Sequence, residues 1–467
     1  MRHHTSSSAL LTLIEGSEDS TAREWKRGKS SLAPSDLAAG YAIDGTRYRC
    51  FIFRHTRARR RINSNRLSGW LGRTPDGSRR CRAVEMKQSI VDVLLPVFNG
   101  ATTITEAIES LQRQTFTDFR IIVIDDGSTD RTPQVLAALA AGDTRITVLT
   151  QPNAGTVDAL NAGLRLCQGE FVARQDADDV SDPSRLAVEL DYLRSHAHCV
   201  AVSGAAKHID EQGRFLGTVQ TFPQPDRADP RWVPSREPYL MHPFLMVRRA
   251  ELQAIGGYRY VYYSEDTDLC WRLQERGAMR NLDMPLGKYR MHTRSISGAS
   301  VINGRIMALS SQLAGLSALR RRTGRADLYF PKEAITEYRN AQTLSKLWEL
   351  GKRQLDDDEA GYLRIALAGK LLELTAYRPY ELEFSDCQFI RGALDELSRL
   401  LHPNRKDLSR LYARAAARLL ISGRLREMAA LTPPWLYLPM IIRVVPRFLG
   451  VSIKTFRAGV RTRMLLI

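Results

Sequence analysis

A chain of 467 residues is long enough for one large domain or two ordinary ones, each with its own core. Apolar residues make up 43% and charged residues 25%, with 31 Gly and 20 Pro, so collagen-like, disulfide-scaffold and wholly disordered classes are excluded. The net charge of +17 points first to nucleic acid or an anionic membrane, but residues 1–85 carry net +9, residues 401–467 net +11 and the body, 86–400, net −3.

Residues 1–85, rich in Ser, Arg and Gly, show neither helical nor strand periodicity and read as a disordered basic leader, with Met86 as an alternative start. From Ile90 the pattern changes. The run Ile90–Phe98 predicts a buried strand, residues 102–114 an amphipathic helix with Thr102 as its cap, and Phe119–Ile124 a second strand. A helix over Pro133–Ala141, a strand over Ile146–Leu149, a helix over Val157–Cys167 and a strand over Glu170–Arg174 follow. This alternation is that of a doubly wound, mostly parallel α/β sheet, in which ligands bind beyond the carboxyl ends of the strands. A helix over 184–195, a strand over Cys199–Ser203, a helix over Ser264–Arg276 and a strand over Lys288–Met291 would complete a catalytic domain spanning 86–300. Residues 301–430 are Leu- and Ala-rich and predict helices at 305–321, 333–351, 357–376, 388–401 and 407–421. Residues 431–467 mix Trp435, Tyr437 and Ile441 with Arg443, Arg447 and Lys454, the composition of a basic amphipathic tail lying on an anionic membrane; an ordinary helical subdomain with a solvated basic face is the alternative.

No apolar stretch is long and uninterrupted enough to span a membrane, and no signal-peptide pattern opens the chain. The six cysteines have no C-x-x-C spacing, as in a cytosolic protein with reduced thiols.

Three acidic groups fall at loops that such a sheet turns toward ligand. Asp125-Asp126-Gly127-Ser128 follows the second strand, Asp176-Ala177-Asp178-Asp179 follows the fourth, and Glu265-Asp266-Thr267-Asp268 opens a helix. Carboxylates gathered in this way repel one another unless a cation or a donor-rich ligand sits between them. Hard divalent ions such as Mn²⁺ or Mg²⁺ take oxygen ligands and bridge carboxylate to phosphate.

In order and spacing these motifs resemble the family 2 inverting glycosyltransferases of the bacterial GT-A type. The resemblance spans roughly 90–298 and is carried by LLPVFNG at 94–100, VIDDGSTDRT at 123–132, GEFVARQDADDVSDPSRL at 169–186, HPFLMVRR at 242–249, EDTDLCWRL at 265–273 and YRMHTRSIS at 289–297. It implies a nucleotide-diphosphate-sugar donor, a divalent cation, one-step displacement with inversion, and a glycan or lipid-linked acceptor in bacterial envelope polysaccharide synthesis.

By position, the resemblance places Pro96 against the nucleoside, Asp126 on the base, Asp176 on the ribose side, Asp178 on the cation with His292 as a further metal ligand, and Asp266 as the base that deprotonates the acceptor hydroxyl, with Glu265 shaping its surroundings. Plainer roles compete: a turn for Asp126, a helix cap for Asp179, dipole complementarity for Asp268, and core packing for Trp271. His242 is assigned either to the acceptor side or to a turn. Phe98 stands where many relatives have Tyr, so only an apolar wall is expected there. The expected location is cytoplasmic, peripheral on the inner face of the membrane, with no nucleic acid bound. A catalytically silent sugar-nucleotide-binding scaffold and a basic nucleic-acid-binding protein are the competing functions.

Overall fold

The computed structural model describes residues 49–50, 89–292, 300–376, 378, 381–397 and 405–432. The chain separates after Arg47 into two units, and the first lies wholly outside the described residues. The expected basic tail, from 433 onward, and nearly all of the leader lie outside them as well.

The strands are β1 (Arg49–Cys50), β2 (Val91–Val97), β3 (Phe119–Asp125), β4 (Ile146–Thr150), β5 (Phe171–Arg174), β6 (Val180–Ser181), β7 (Cys199–Ile209), β8 (Phe215–Gln220), β9 (Met246–Arg248) and β10 (Ala278–Arg290). They form one mixed sheet in the order β1-β4-β3-β2-β5-β9-β7-β10-β6, with β8 on the side of β7. β4, β3, β2 and β5 run parallel, and β9 is antiparallel between β5 and β7. β10 then runs parallel to β7.

Helices cover both faces. On β2, Val91, Val93 and Leu95 pack with α1 (Ile104–Gln112) and α4 (Arg185–Ser195), while Leu94 faces α3 (Thr156–Leu164) and α6 (Glu265–Gln274). This is the two-residue period of a strand buried on both sides. A Cβ on Gly163 would lie 2.1 Å from Leu94 Cδ1, so only glycine lets α3 approach so closely. α2 (Thr132–Gly142) and α5 (Arg249–Ala254) complete the layers.

Seven helices follow among the described residues: α7 (Val301–Arg322), α8 (Ala334–Asn340), α9 (Leu344–Gly351), α10 (Asp357–Leu374), α11 (Phe384–Leu397), α12 (Arg405–Ile421) and α13 (Leu425–Leu431). They share their own core, which includes Leu309, Leu347, Leu367, Ile390 and Tyr412. None of the described helices is long and apolar enough to cross a membrane. Cys167, Cys199, Cys270 and Cys387 are buried free thiols.

Several details differ from expectation. α1 is not capped by Thr102; its first turn is closed by the Gly100 carbonyl, which accepts from Thr103 N (3.0 Å) and Ile104 N (2.9 Å). β7 and β10 run well beyond the expected four or five residues. The second half of β7 is Gly204, Ala205 and Ala206, which lack strand signals, and β10 carries Pro285 at a register irregularity that spares its missing N–H. β8 was not expected because it is an exposed edge strand with no buried face. The single helix expected over 333–351 is split where Gln342 has φ 23° and Thr343 caps α9 by accepting from Lys346 N.

Candidate active site

Asp126 follows the end of β3, and its N–H donates to Val97 O at 2.9 Å. Its carboxylate is 4% exposed: Oδ1 accepts from Gln151 Nε2 (2.7 Å) and Ala154 N (3.0 Å), and Oδ2 from Gly155 N (2.9 Å). The side chain therefore pins the loop before α3 and keeps one lone pair on Oδ2. Asp125, which no motif role covered, is fully buried; Oδ1 accepts from Ser128 N (3.0 Å) and Oδ2 has no partner among the described residues. Gly127, at φ 75°, lets the Asn153 backbone come within 2.6 Å of where a Cβ would stand. Pro96 is half-buried on β2, and Phe98 beyond it is 51% exposed.

The acidic loop leaves β5 through Gln175, whose Nε2 donates to the carbonyls of Asp176 (3.2 Å) and Asp179 (2.8 Å). Its Oε1 accepts from Ser181 Oγ (2.6 Å) and Arg185 Nη1 (2.9 Å). Arg185 is wholly buried; it also donates to Arg174 O (2.6 Å) and pairs one helical turn later with the equally buried Glu189 at 3.1 Å. From the other side Arg290 donates to Asp178 O (2.8 Å) and Glu106 Oε2 (2.5 Å). The loop is thus fixed by bonds before any ligand arrives.

One oxygen from each of Asp176, Asp178 and Asp179 lies within 4.8 Å of the others. Asp178 Oδ2 faces His292 Nε2 at 2.9 Å, so the structure brings His292 to this loop as the carboxylate's partner. Burial, then the charge of Asp176, pushes the Asp178 carboxyl up against the opposing pull of His292. Burial and the charges of Asp176 and Asp178 push Asp179 well above the carboxylate range. Asp179 is not a helix cap. Its Oδ1 accepts from Arg290 N (2.8 Å), Oδ2 is buried without a partner among the described residues, and the turn into α4 is made by Asp182, which accepts from Ser184 N (3.0 Å). An all-oxygen donor set with an orphaned buried oxygen fits a hard divalent cation.

Glu265 and Asp266 are half-buried at the start of α6, where Asp266 Oδ1 accepts from Thr267 N at 2.7 Å. Burial, reinforced by Asp266, pushes Glu265 up to about 7, and burial also raises Asp266. Asp268 does more than complement the helix dipole. It is fully buried and paired with Arg272 (2.7 Å) and Arg259; burial disfavours its charge, but the two guanidinium groups hold its carboxyl below the usual range. Trp271 is core, packed with Val261, Ala314 and Ala318. His242 lies in a short turn, 9% exposed, with Nε2 2.8 Å from Tyr258 Oη; burial and the charge of Arg174 push it well below the usual histidine range.

Arg174, Gln175, Arg185 and Arg290 were not singled out from the sequence. Arg174 ends β5, is 6% exposed and forms an ion pair with Asp176 Oδ1 through Nη1. Its charge also acts on Glu265 and Asp266, so the acidic loop and the acid pair share one buried cation. A polar residue next to an Asp cluster was the available signal, but an Arg in an apolar strand end looks like an edge residue until its burial is seen.

Carboxylates beyond the strand ends of a mostly parallel sheet, with β9 antiparallel inside it, mark a ligand site of the doubly wound α/β class. Residues 92–256 match the family model described as glycosyl transferase family 2. Over 193 residues the chain is 30% identical to the putative glycosyltransferase EpsE of Bacillus subtilis, covering 40% of this chain and 67% of that protein. It is 26% identical to the amylovoran biosynthesis glycosyltransferase AmsE of Erwinia amylovora over 271 residues, 56% of this chain and 98% of that one. Chondroitin synthase of Escherichia coli is 31% identical over 134 residues, which are 29% of this chain and only 20% of that protein. The chain belongs to glycosyl transferase family 2, and with it to the glycosyltransferases.

Proposed function

We propose that the protein transfers a sugar, with inversion, from a nucleotide-diphosphate-sugar to an acceptor hydroxyl in the assembly of a bacterial surface polysaccharide. The observation that supports this most is the cluster of Asp176, Asp178 and Asp179 directly after β5, one oxygen of each lying within 4.8 Å of the others, with the buried Arg174 ion-paired to Asp176. In this reading Pro96 and Asp126 border the nucleoside, Asp176 faces the ribose side, and Asp178 holds a divalent cation, Mn²⁺ or Mg²⁺, with His292 at its carboxylate. A cation held there would supply positive charge against that developing on the departing diphosphate.

Asp266 takes the proton of the acceptor hydroxyl. As it does, the acceptor oxygen bonds to the anomeric carbon, and the bond to the diphosphate oxygen breaks with its electron pair leaving on the nucleoside diphosphate. A carboxylate whose proton affinity is raised by burial is a stronger base than an exposed one, which suits an alcohol nucleophile. The acceptor is a glycan or lipid-linked glycan, in keeping with the names of the relatives. The protein works in the cytoplasm at the inner face of the membrane, its basic tail held by anionic lipid.

The test is thermal stabilisation by UDP, GDP or dTDP with Mn²⁺, followed by a donor-hydrolysis screen across sugar nucleotides. At a hundred times the dissociation constant a true ligand adds about 2.7 kcal/mol. No stabilisation by any of the three refutes the donor site. Flotation with anionic liposomes, full chain against a chain ending at residue 430, tests the tail, and equal flotation rejects it.

A further inference from the structure

We propose that the helical region beyond residue 300 completes the base site: it grips the segment 259–264 so that Asp266 is aimed at the acceptor hydroxyl, and Tyr263 is the positioning residue through which it acts. This rests on the role of Asp266 proposed above. Among the described residues the Asp266 carboxylate accepts only from its neighbour Thr267, so its direction is set by the backbone that leads into α6.

That backbone makes a tight turn, closed by Ser264 N donating to Val261 O at 3.0 Å, with Tyr263 third in the turn at φ 61°. A turn with a positive φ at this place is ordinarily built with Gly or Asn, and a bulky side chain there is strained. Such a residue persists only where its surroundings over-determine it, and such residues gather at functional sites. The surroundings here belong to the helical region. The Tyr263 ring is half-buried against that region's core, and Arg339 on α8 donates to its Oη at 3.1 Å. On either side of it, Tyr262 Oη donates to the Lys332 carbonyl, and Ser264 Oγ donates to the Met307 carbonyl on α7 at 3.3 Å. Arg259 spans the two parts, donating to Asp268 on α6 (3.1 Å) and to Asp327 (2.8 Å). Ser264 in turn starts α6, its carbonyl accepting from Asp268 N at 3.0 Å. A shift of the ring thus passes directly into the first turn of the helix, where Asp266 sits.

The test follows turnover of whichever UDP-, GDP- or dTDP-sugar the wild type hydrolyses, with water in the acceptor's place. Tyr263→Gly frees the turn of strain but removes the ring that the helices hold. It is expected to lower kcat about ten- to a hundredfold, as a displacement of about 1 Å can, while the matching nucleoside diphosphate with Mn²⁺ binds within about twofold of wild type. Tyr263→Phe keeps the ring and loses only an exposed hydrogen bond, so kcat should stay within about threefold. A residue that merely braced the fold would lower the number of folded sites and leave kcat per site alone. Sites are therefore counted by titration with the nucleoside diphosphate, which keeps the comparison valid even if the glycine variant melts early.

Asp266→Asn supplies the remaining control. Because Tyr263 acts through the base, Tyr263→Gly should cost little further in that background, whereas independent effects would multiply. Wild-type kcat per site in Tyr263→Gly, or losses that multiply, overturns the inference alone. Full activity in Asp266→Asn, or a wild type that hydrolyses none of the sugar nucleotides, overturns the functional reading itself and the inference with it.

Discussion

The loop that carries Asp176, Asp178 and Asp179 is bonded from beneath by Gln175, Ser181 and Arg185 and from the side by Arg290, whereas Asp266 accepts only from its neighbour Thr267 among the described residues. The first group is thus shaped in advance, with its reorganisation cost met during folding. The second carries little besides its raised affinity for a proton. A donor and its cation need a fixed cradle, while a base needs an unspent lone pair, and the two groups differ accordingly.

Replacing the base should break the comparison most sharply. Asp266→Asn is expected to lower kcat by about 10²–10⁴, while affinity for nucleoside diphosphate with Mn²⁺ stays within twofold. A loss of both together would show that Asp266 belongs to the cradle after all. Steady-state transfer assays beside calorimetric titration separate the two outcomes.

The second prediction attacks the cradle from below. Arg185→Met leaves Glu189 buried and without its counter-charge, which costs about 3–5 kcal/mol, enough to shift a urea midpoint clearly. Arg185→Met with Glu189→Met removes both charges and should recover much of that loss, although Gln175 and the Arg174 carbonyl still lose a donor. If the single and double variants are equally stable, the ion pair does not brace the loop.

How far the sequence discloses this molecule follows the same division. Four strands of the α/β body, β2 to β5, were legible because buried parallel strands read as continuous apolar runs, and the helices between them carry a periodic apolar face, whereas the two-residue strands β1 and β6 are too short to show a pattern. The acidic residues of the site were legible because clustered carboxylates at strand ends are otherwise unfavourable. The cradle was not. Gln175, Ser181 and Arg185 have no pattern of their own, and their role exists only when α4 folds back under the loop. β8 and the Gly204–Ala206 half of β7 were hidden for a related reason: their pairing is set by neighbours far along the chain, and neither carries a large apolar side chain on a buried face.

The smallest expected effect concerns Glu265, whose carboxyl is pushed up to about 7 by burial and by Asp266. In the unfolded chain it titrates near 4.3, so the native state holds its proton more tightly than the unfolded state does. Native stability attributable to this group is therefore fully present below about pH 4 and is lost as pH rises toward 7, where ionisation of the half-buried carboxyl opposes folding. Glu265→Gln removes that term. Its stability relative to wild type should accordingly rise between pH 4.5 and 7 and stay level above, by on the order of 1 kcal/mol once solvent screening at a half-buried site is allowed for. Thermal melts of the metal-free proteins across that range check it, and a difference that does not change with pH would mean that Glu265 is ionised in the native state throughout.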